Sequence, residues 1–133
     1  MSFFRTMETQ FEDQGCLTGA LEDIGLKDKF TVHQTKQKLG GYGRGEAEIV
    51  IKRQAFGNHY EAGFAQVNDK FQFVSADDDR FDMKKLKVAY TERKTMALAK
   101  AKGMQFDRRE KYQDAKGQQH VKLIFKSAAL ANG

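Results

Sequence analysis

The chain has 133 residues, a net charge of +5 and a mean hydropathy of −0.69, with 40% hydrophobic and 31% charged residues. That length suits one domain around one core, and such polarity, with no apolar run near the ~20 residues a spanning helix needs, excludes a helical membrane protein. The single cysteine, Cys16, admits no internal disulfide, and the opening MSFFRTMETQ lacks the pattern of a secretory leader, so a reducing interior is the expected compartment.

Charge is spread unevenly. Residues 1–82 carry ten Lys/Arg and fourteen Asp/Glu, net −4, whereas residues 83–133 carry thirteen and four, net +9. The second part is suited to an acidic protein partner, a polynucleotide or an anionic surface, or to attraction by the first part. Proline is absent, and neither a low-complexity linker nor an internal repeat divides the chain.

In chain order, FFRTMETQF puts Phe3, Arg5, Met7, Thr9 and Phe11 on one side of a first strand. A helix follows, with Asp13 as N-cap, Leu17, Ala20, Leu21 and Ile24 at helical spacing, and Gly25 at its end. KFTVHQTKQK reads as a second strand whose lysine-rich end suggests a sheet edge. Ile49 and Ile51 mark a third, HYEAGFAQV a fourth and KFQFVSA a fifth, the last two joined by Asn68 and Asp69, a pair suited to a tight hairpin. A second helix spans about 82–101 and stops near Gly103, and MQFDRREKY and HVKLIFK close the chain as two strands around Asp114–Gly117. The fold class is therefore α+β, a mainly antiparallel sheet with two helices on one face in the order β-α-β-β-β-β-α-β-β. It is expected as one domain over 1–126, with a flexible tail at 127–133.

The stretch KLGGYGRGEAEIVIK contains four glycines in six positions. A phosphate-binding loop needs a helix N-terminus after its glycines, and here a strand follows. Gly40, Gly41, Gly43 and Gly45 are better read as backbone freedom between strands; the competing reading has Tyr42 stacking on a base or ring and Arg44 pairing a phosphate. The second helix, MKKLKVAYTERKTMALAKAKG, gathers Met83, Leu86, Tyr90, Ala97 and Ala101 on one side and spreads Lys84, Lys87, Lys94 and Lys102 over the water-facing remainder. Those lysines are candidate partner-binding groups, set against the plainer account of a solvated face with favourable charge near the helix C-terminus.

Asp77, Asp78, Asp79 and Asp82 offer oxygen ligands without the spacing, glycine or closing glutamate of a calcium loop, and helix capping explains them better. His33, His59 and His120 stand singly, Cys16 lies on an apolar helix, and Glu46 and Glu48, though directed to one side of a strand, have no feature that raises a pKa. No catalytic set, metal site or cofactor site is nominated.

MSFFRTMETQF, ALEDIG, GYGRGEAEIVI, and Leu86, Tyr90, Lys94 and Gly103 in the second helix together resemble the hypothetical chloroplast reading frame thirty-five family of cyanobacteria, algal plastids and cyanophages, over about residues 1–126. After FVSAD, family members often continue with tryptophan, where this chain has DDRFD and no tryptophan at all. The resemblance implies a protein of a cyanobacterial cytoplasm, a plastid stroma or a phage of such cells, and carries no activity or catalytic residue. The expected function is a non-enzymatic interaction protein binding an acidic partner through the basic helix and the glycine-rich loop. The alternatives are RNA or DNA binding through Tyr42, Arg44, Lys84, Lys87, Lys94 and Lys102, and an enzyme with an unrecognised site.

Overall fold

The computed structural model describes residues 4–40, 45–56, 60–76 and 81–127. Its elements follow the expected order: β1 (Phe4–Glu8), α1 (Gln14–Leu21), β2 (Phe30–Lys38), β3 (Glu46–Ile51), β4 (Ala62–Val67), β5 (Lys70–Ala76), α2 (Met83–Ala101), β6 (Met104–Gln113) and β7 (Gln119–Ser127). The first five strands form an antiparallel sheet, β1-β5-β4-β3-β2, while β6 and β7 pair with each other in a second sheet. Where one domain over 1–126 was expected, the chain packs as two compact units, Met1–Tyr90 and Thr91–Gly133, with the boundary inside α2. Of the expected tail, Ser127 ends β7 and the remaining residues lie outside the described ones.

In the first unit, Asp13 caps α1 as the sequence suggests, its Oδ1 accepting from Cys16 N at 2.9 Å. The register Ile49↔Phe64↔Phe73, with Ile51 opposite Ala62, puts these side chains on one face of the sheet. Leu17, Ala20 and Leu21 of α1, Leu86 and Tyr90 of α2, and Phe11 pack with them in one core. Phe64, Leu17, Leu21, Ile49, Ile51 and Leu86 are fully buried, each stabilising the unit by about 1.5–3 kcal/mol relative to exposure. Cys16 is buried beside them.

The predicted edge at β2 is found: this strand ends the sheet, and Lys36 Nζ donates to Gln66 O at 3.1 Å and pairs with Glu48 at 3.6 Å. The apolar side expected for the first strand is only partly realised. Arg5 and Met7 are exposed because β1 forms the opposite sheet edge, and Phe11 reaches the core after the strand has ended. Between them, buried Thr9 donates through its hydroxyl to Phe71 O and accepts from Phe11 N, which satisfies its polar group.

The second unit consists of α2 from Thr91 onward and the β6–β7 hairpin. Gly103 follows the helix at φ +76°, the left-handed conformation that glycine adopts without a Cβ penalty. The expected apolar stripe of α2 does not continue past Tyr90: Ala97 and Ala101 are exposed, and burial passes to Ala99, with Glu92 and Met96 half-buried. The reason is tertiary, since Glu92 pairs with Arg109 of the hairpin and Met96 lines a groove together with the hairpin aromatics. No helix among the described residues is long and apolar enough to cross a membrane.

Candidate functional site

The glycine-rich connection joins β2 to β3, as the strand-to-strand reading expects, and is closed by Leu39 N donating to Gly45 O at 2.9 Å. Tyr42 and Arg44, with Gly41 and Gly43, lie outside the described residues. At its start, Gly40 N donates to Glu61 Oε1 at 2.6 Å, and Glu61 N donates to Gly40 O at 3.0 Å. A Cβ at Gly40 would stand 2.5 Å from Arg53 Nη2 and 3.1 Å from Glu61 Oε1, so a larger residue there would displace the ends of those two flexible side chains and disturb the Glu61 contact.

The four lysines nominated on the second helix fall in both units. Lys84 and Lys87 are exposed on the part of α2 that belongs to the first, next to Asp82, whose Oδ1 accepts from Lys85 N at 3.0 Å and caps the helix. Capping is thus the observed role of Asp82, while Asp77, Asp78 and Asp79 lie outside the described residues. Lys94 and Lys102 belong to the second unit. Lys102 is exposed, but Lys94 is half-buried and engaged by its surroundings, which corrects the expectation that all four face water.

Lys94 and Lys102 supply only two of the second unit's ten cationic side chains. That unit has ten Lys/Arg and four Asp/Glu, net +6, against thirteen and fourteen, net −1, in the first unit. Its carboxylates are held within the unit. Arg108 Nε meets Glu110 Oε1 at 2.8 Å and its Nη1 meets Asp107 Oδ2 at 2.5 Å, while Arg109 Nη2 meets Glu92 Oε2 at 2.7 Å. Asp114 Oδ2 lies 2.8 Å from His120 Nε2, and its Oδ1 accepts from Lys116 N at 2.8 Å and Gln118 N at 3.0 Å. The His120 ring foremost, then the Gln118 amide, holds the Asp114 carboxyl below its ordinary range. With those four carboxylates engaged, Lys100, Lys102, Lys111, Lys116, Lys122 and Lys126 remain exposed in this unit.

Lys100 also lines an apolar groove of about 390 Å³, formed with Met96, Met104, Gln105, Phe106 and Phe125. Phe106 and Phe125 are opposite each other in the hairpin, ring centroids 6.0 Å apart and edge to face. Periodicity did not single out this groove. Its signal was the pairing of MQF with FKS across the closing hairpin, which sets Phe106 opposite Phe125 and is visible only once the register is known.

Each described isolated polar candidate has its own local partner or stands exposed. His33 Nε2 lies 3.0 Å from Thr31 Oγ1 on β2, His120 belongs to the other unit, and His59 is outside the described residues. Glu48 pairs with Lys36 and accepts from Gln66 N at 3.1 Å, whereas Glu46 is exposed. Among the described residues no three His, Cys, Asp or Glu side chains gather as a metal site would need. A second cleft, about 380 Å³, borders the Asn68–Asp69 turn, and Lys70 Nζ donates there to Gln10 Oε1 at 3.0 Å.

The fold and this surface define a two-unit α+β protein with a cationic second unit. Comparison with protein-family models, curated proteins and solved structures gave no match.

Proposed function

We propose that this chain is a non-enzymatic interaction module whose cationic second unit binds an acidic protein partner. One observation carries the reading: the unit's own carboxylates are engaged by Arg108, Arg109 and His120, while six lysines stay exposed. Lysines in this state attract carboxylates at low ionic strength and lose that attraction as salt screens them. Lys84 and Lys87 of the first unit add exposed cations, and Tyr42 and Arg44 of the glycine-rich loop are further candidate contacts. The resemblance to the chloroplast reading frame family supports a cyanobacterial cytoplasm, a plastid stroma or a phage-infected cell as the setting.

The test is titration of the full chain with labelled oligo-glutamate and, separately, with single-stranded RNA and duplex DNA, at about 50 mM and about 200 mM salt. Oligo-glutamate should bind at the lower salt, weaken at the higher, and lose affinity in a Lys100→Glu, Lys102→Glu double variant. Absence of binding at low salt overturns the proposal. RNA or DNA bound more tightly than the acidic peptide, with log affinity falling by about 0.7–0.9 per phosphate contact for each log unit of salt, replaces it with nucleic-acid binding.

A further inference from the structure

The β6–β7 hairpin is an unusual element to find uncovered. All ten residues of β6 are exposed, Met104 and Phe106 by 40% and 39%, and a two-stranded hairpin has marginal stability by itself. Its apolar side chains are not scattered. Met104, Phe106 and Phe125 converge with Met96 of α2 on the 390 Å³ groove, a size within the range of ~300–1,000 Å³ that binding sites occupy. The groove has an apolar floor and one cation, Lys100, among its walls.

The charge around it narrows the choice of occupant. A second copy of this unit would bring net +6 against net +6, and like charge opposes that association. A nucleic acid would satisfy the lysines yet leave the groove unfilled unless bases were splayed into it, and the edge-to-face Phe106–Phe125 pair, at 70°, offers no continuous platform for successive stacked bases. A protein segment with apolar side chains on one side and carboxylates beside them satisfies both features at once. It fills the groove and pairs with Lys100 at its wall, while the unit's other exposed lysines add long-range attraction.

The geometry points to the groove between Met96 and the Phe106–Phe125 pair as the docking site for an acidic amphipathic segment of a partner protein. This rests on the acidic-partner reading and adds what that reading does not require, recognition of apolar side chains. Binding then has two separable parts. The lysines supply attraction that salt weakens, and the groove supplies apolar burial that salt does not screen.

The experiment uses the full chain and three labelled peptides of equal length: an amphipathic one with leucine and phenylalanine at helical spacing and glutamate elsewhere, an oligo-glutamate of the same charge with serine at those apolar positions, and a copy of the first with lysine replacing glutamate. The amphipathic acidic peptide should bind about ten-fold more tightly than oligo-glutamate, as expected for one buried apolar side chain. Phe106→Ser should abolish that advantage. Because this variant risks unfolding the hairpin, Met96→Gln on the helix serves as the second, and it too should bring the two affinities together. Lys100→Glu should weaken both acidic peptides. Equal affinity for the two acidic peptides, or an advantage that survives Met96→Gln, overturns the groove and leaves the acidic-partner reading standing. Failure of both to bind overturns that reading itself. Comparable binding of the lysine peptide, binding to anionic vesicles in place of peptide, or a concentration-dependent dimer lost in Met96→Gln would each assign the groove to a different occupant and overturn the proposal.

Discussion

Tyr90 shows how a single side chain can join distant segments of the first unit. Its ring packs on Phe11, centroids 4.5 Å apart, and its hydroxyl accepts from Glu12 N at 3.0 Å and Asp13 N at 3.1 Å. These amides stand just before α1, so the oxygen holds the chain that presents the Asp13 cap. Tyr90→Phe keeps the ring and removes the acceptor, leaving two part-buried amides without it. We expect a loss of about 1–2 kcal/mol in urea unfolding, read as a lower midpoint with an unchanged slope. Helical spacing placed Tyr90 on the inner side of α2. The partners of its hydroxyl, 77 and 78 residues away in sequence, belong to the packing. The Asp13 cap is the opposite case, because cap and recipient are three residues apart and the signal is local.

Among the elements, the β6–β7 hairpin is held at its turn by one carboxylate. Asp114 accepts from Lys116 N and Gln118 N and faces His120, whose ring stacks on Tyr112 with centroids 5.2 Å apart. A carboxyl lowered in the folded state lends stability above its unfolded pKa and loses it as pH falls through the folded one. Protection of the Lys116 and Gln118 amides against hydrogen exchange should therefore be present at neutral pH and decline below about pH 4. Asp114→Ala should lack that protection at both pH values; retention of it would show that the backbone turn alone closes the hairpin. Element order and the limits of α2 were readable from the chain, since Asp82 caps the helix and Gly103 ends it through local chemistry. The inner face of α2 beyond Tyr90 was not. Which side is buried there depends on Glu92 finding Arg109 and on Met96 meeting the hairpin, contacts that spacing does not encode.

For the whole molecule, the division at Tyr90 separates two kinds of stability. The first unit has a core in which Ile49, Phe64 and Leu86 are fully buried, while the second has Ala99 as its buried apolar residue among those described. Local opening free energies follow such differences in burial. Amides of β3, β4 and β5 should therefore exchange slowest, and those of β6 and β7 should exchange through lower-energy openings that denaturant affects less steeply. A single opening energy shared by both sheets would contradict the division. Charge is divided in the same way, net −1 and net +6, so the acidic-partner proposal belongs to the second unit.

The sequence by itself determined the α+β class, the order of nine elements, the Asp13 and Asp82 caps, the edge position of β2 and the concentration of positive charge toward the C-terminus. Each of these is written in neighbouring residues or in composition, where turn chemistry, periodicity and charge act over short distances. The tertiary structure alone decided that the last two strands form their own sheet, that Lys94 is engaged, that the second unit's carboxylates are consumed internally, and that Met96, Phe106 and Phe125 share a groove. Strand pairing and side-chain partnership are choices among many compatible surfaces, and packing rather than local propensity makes them.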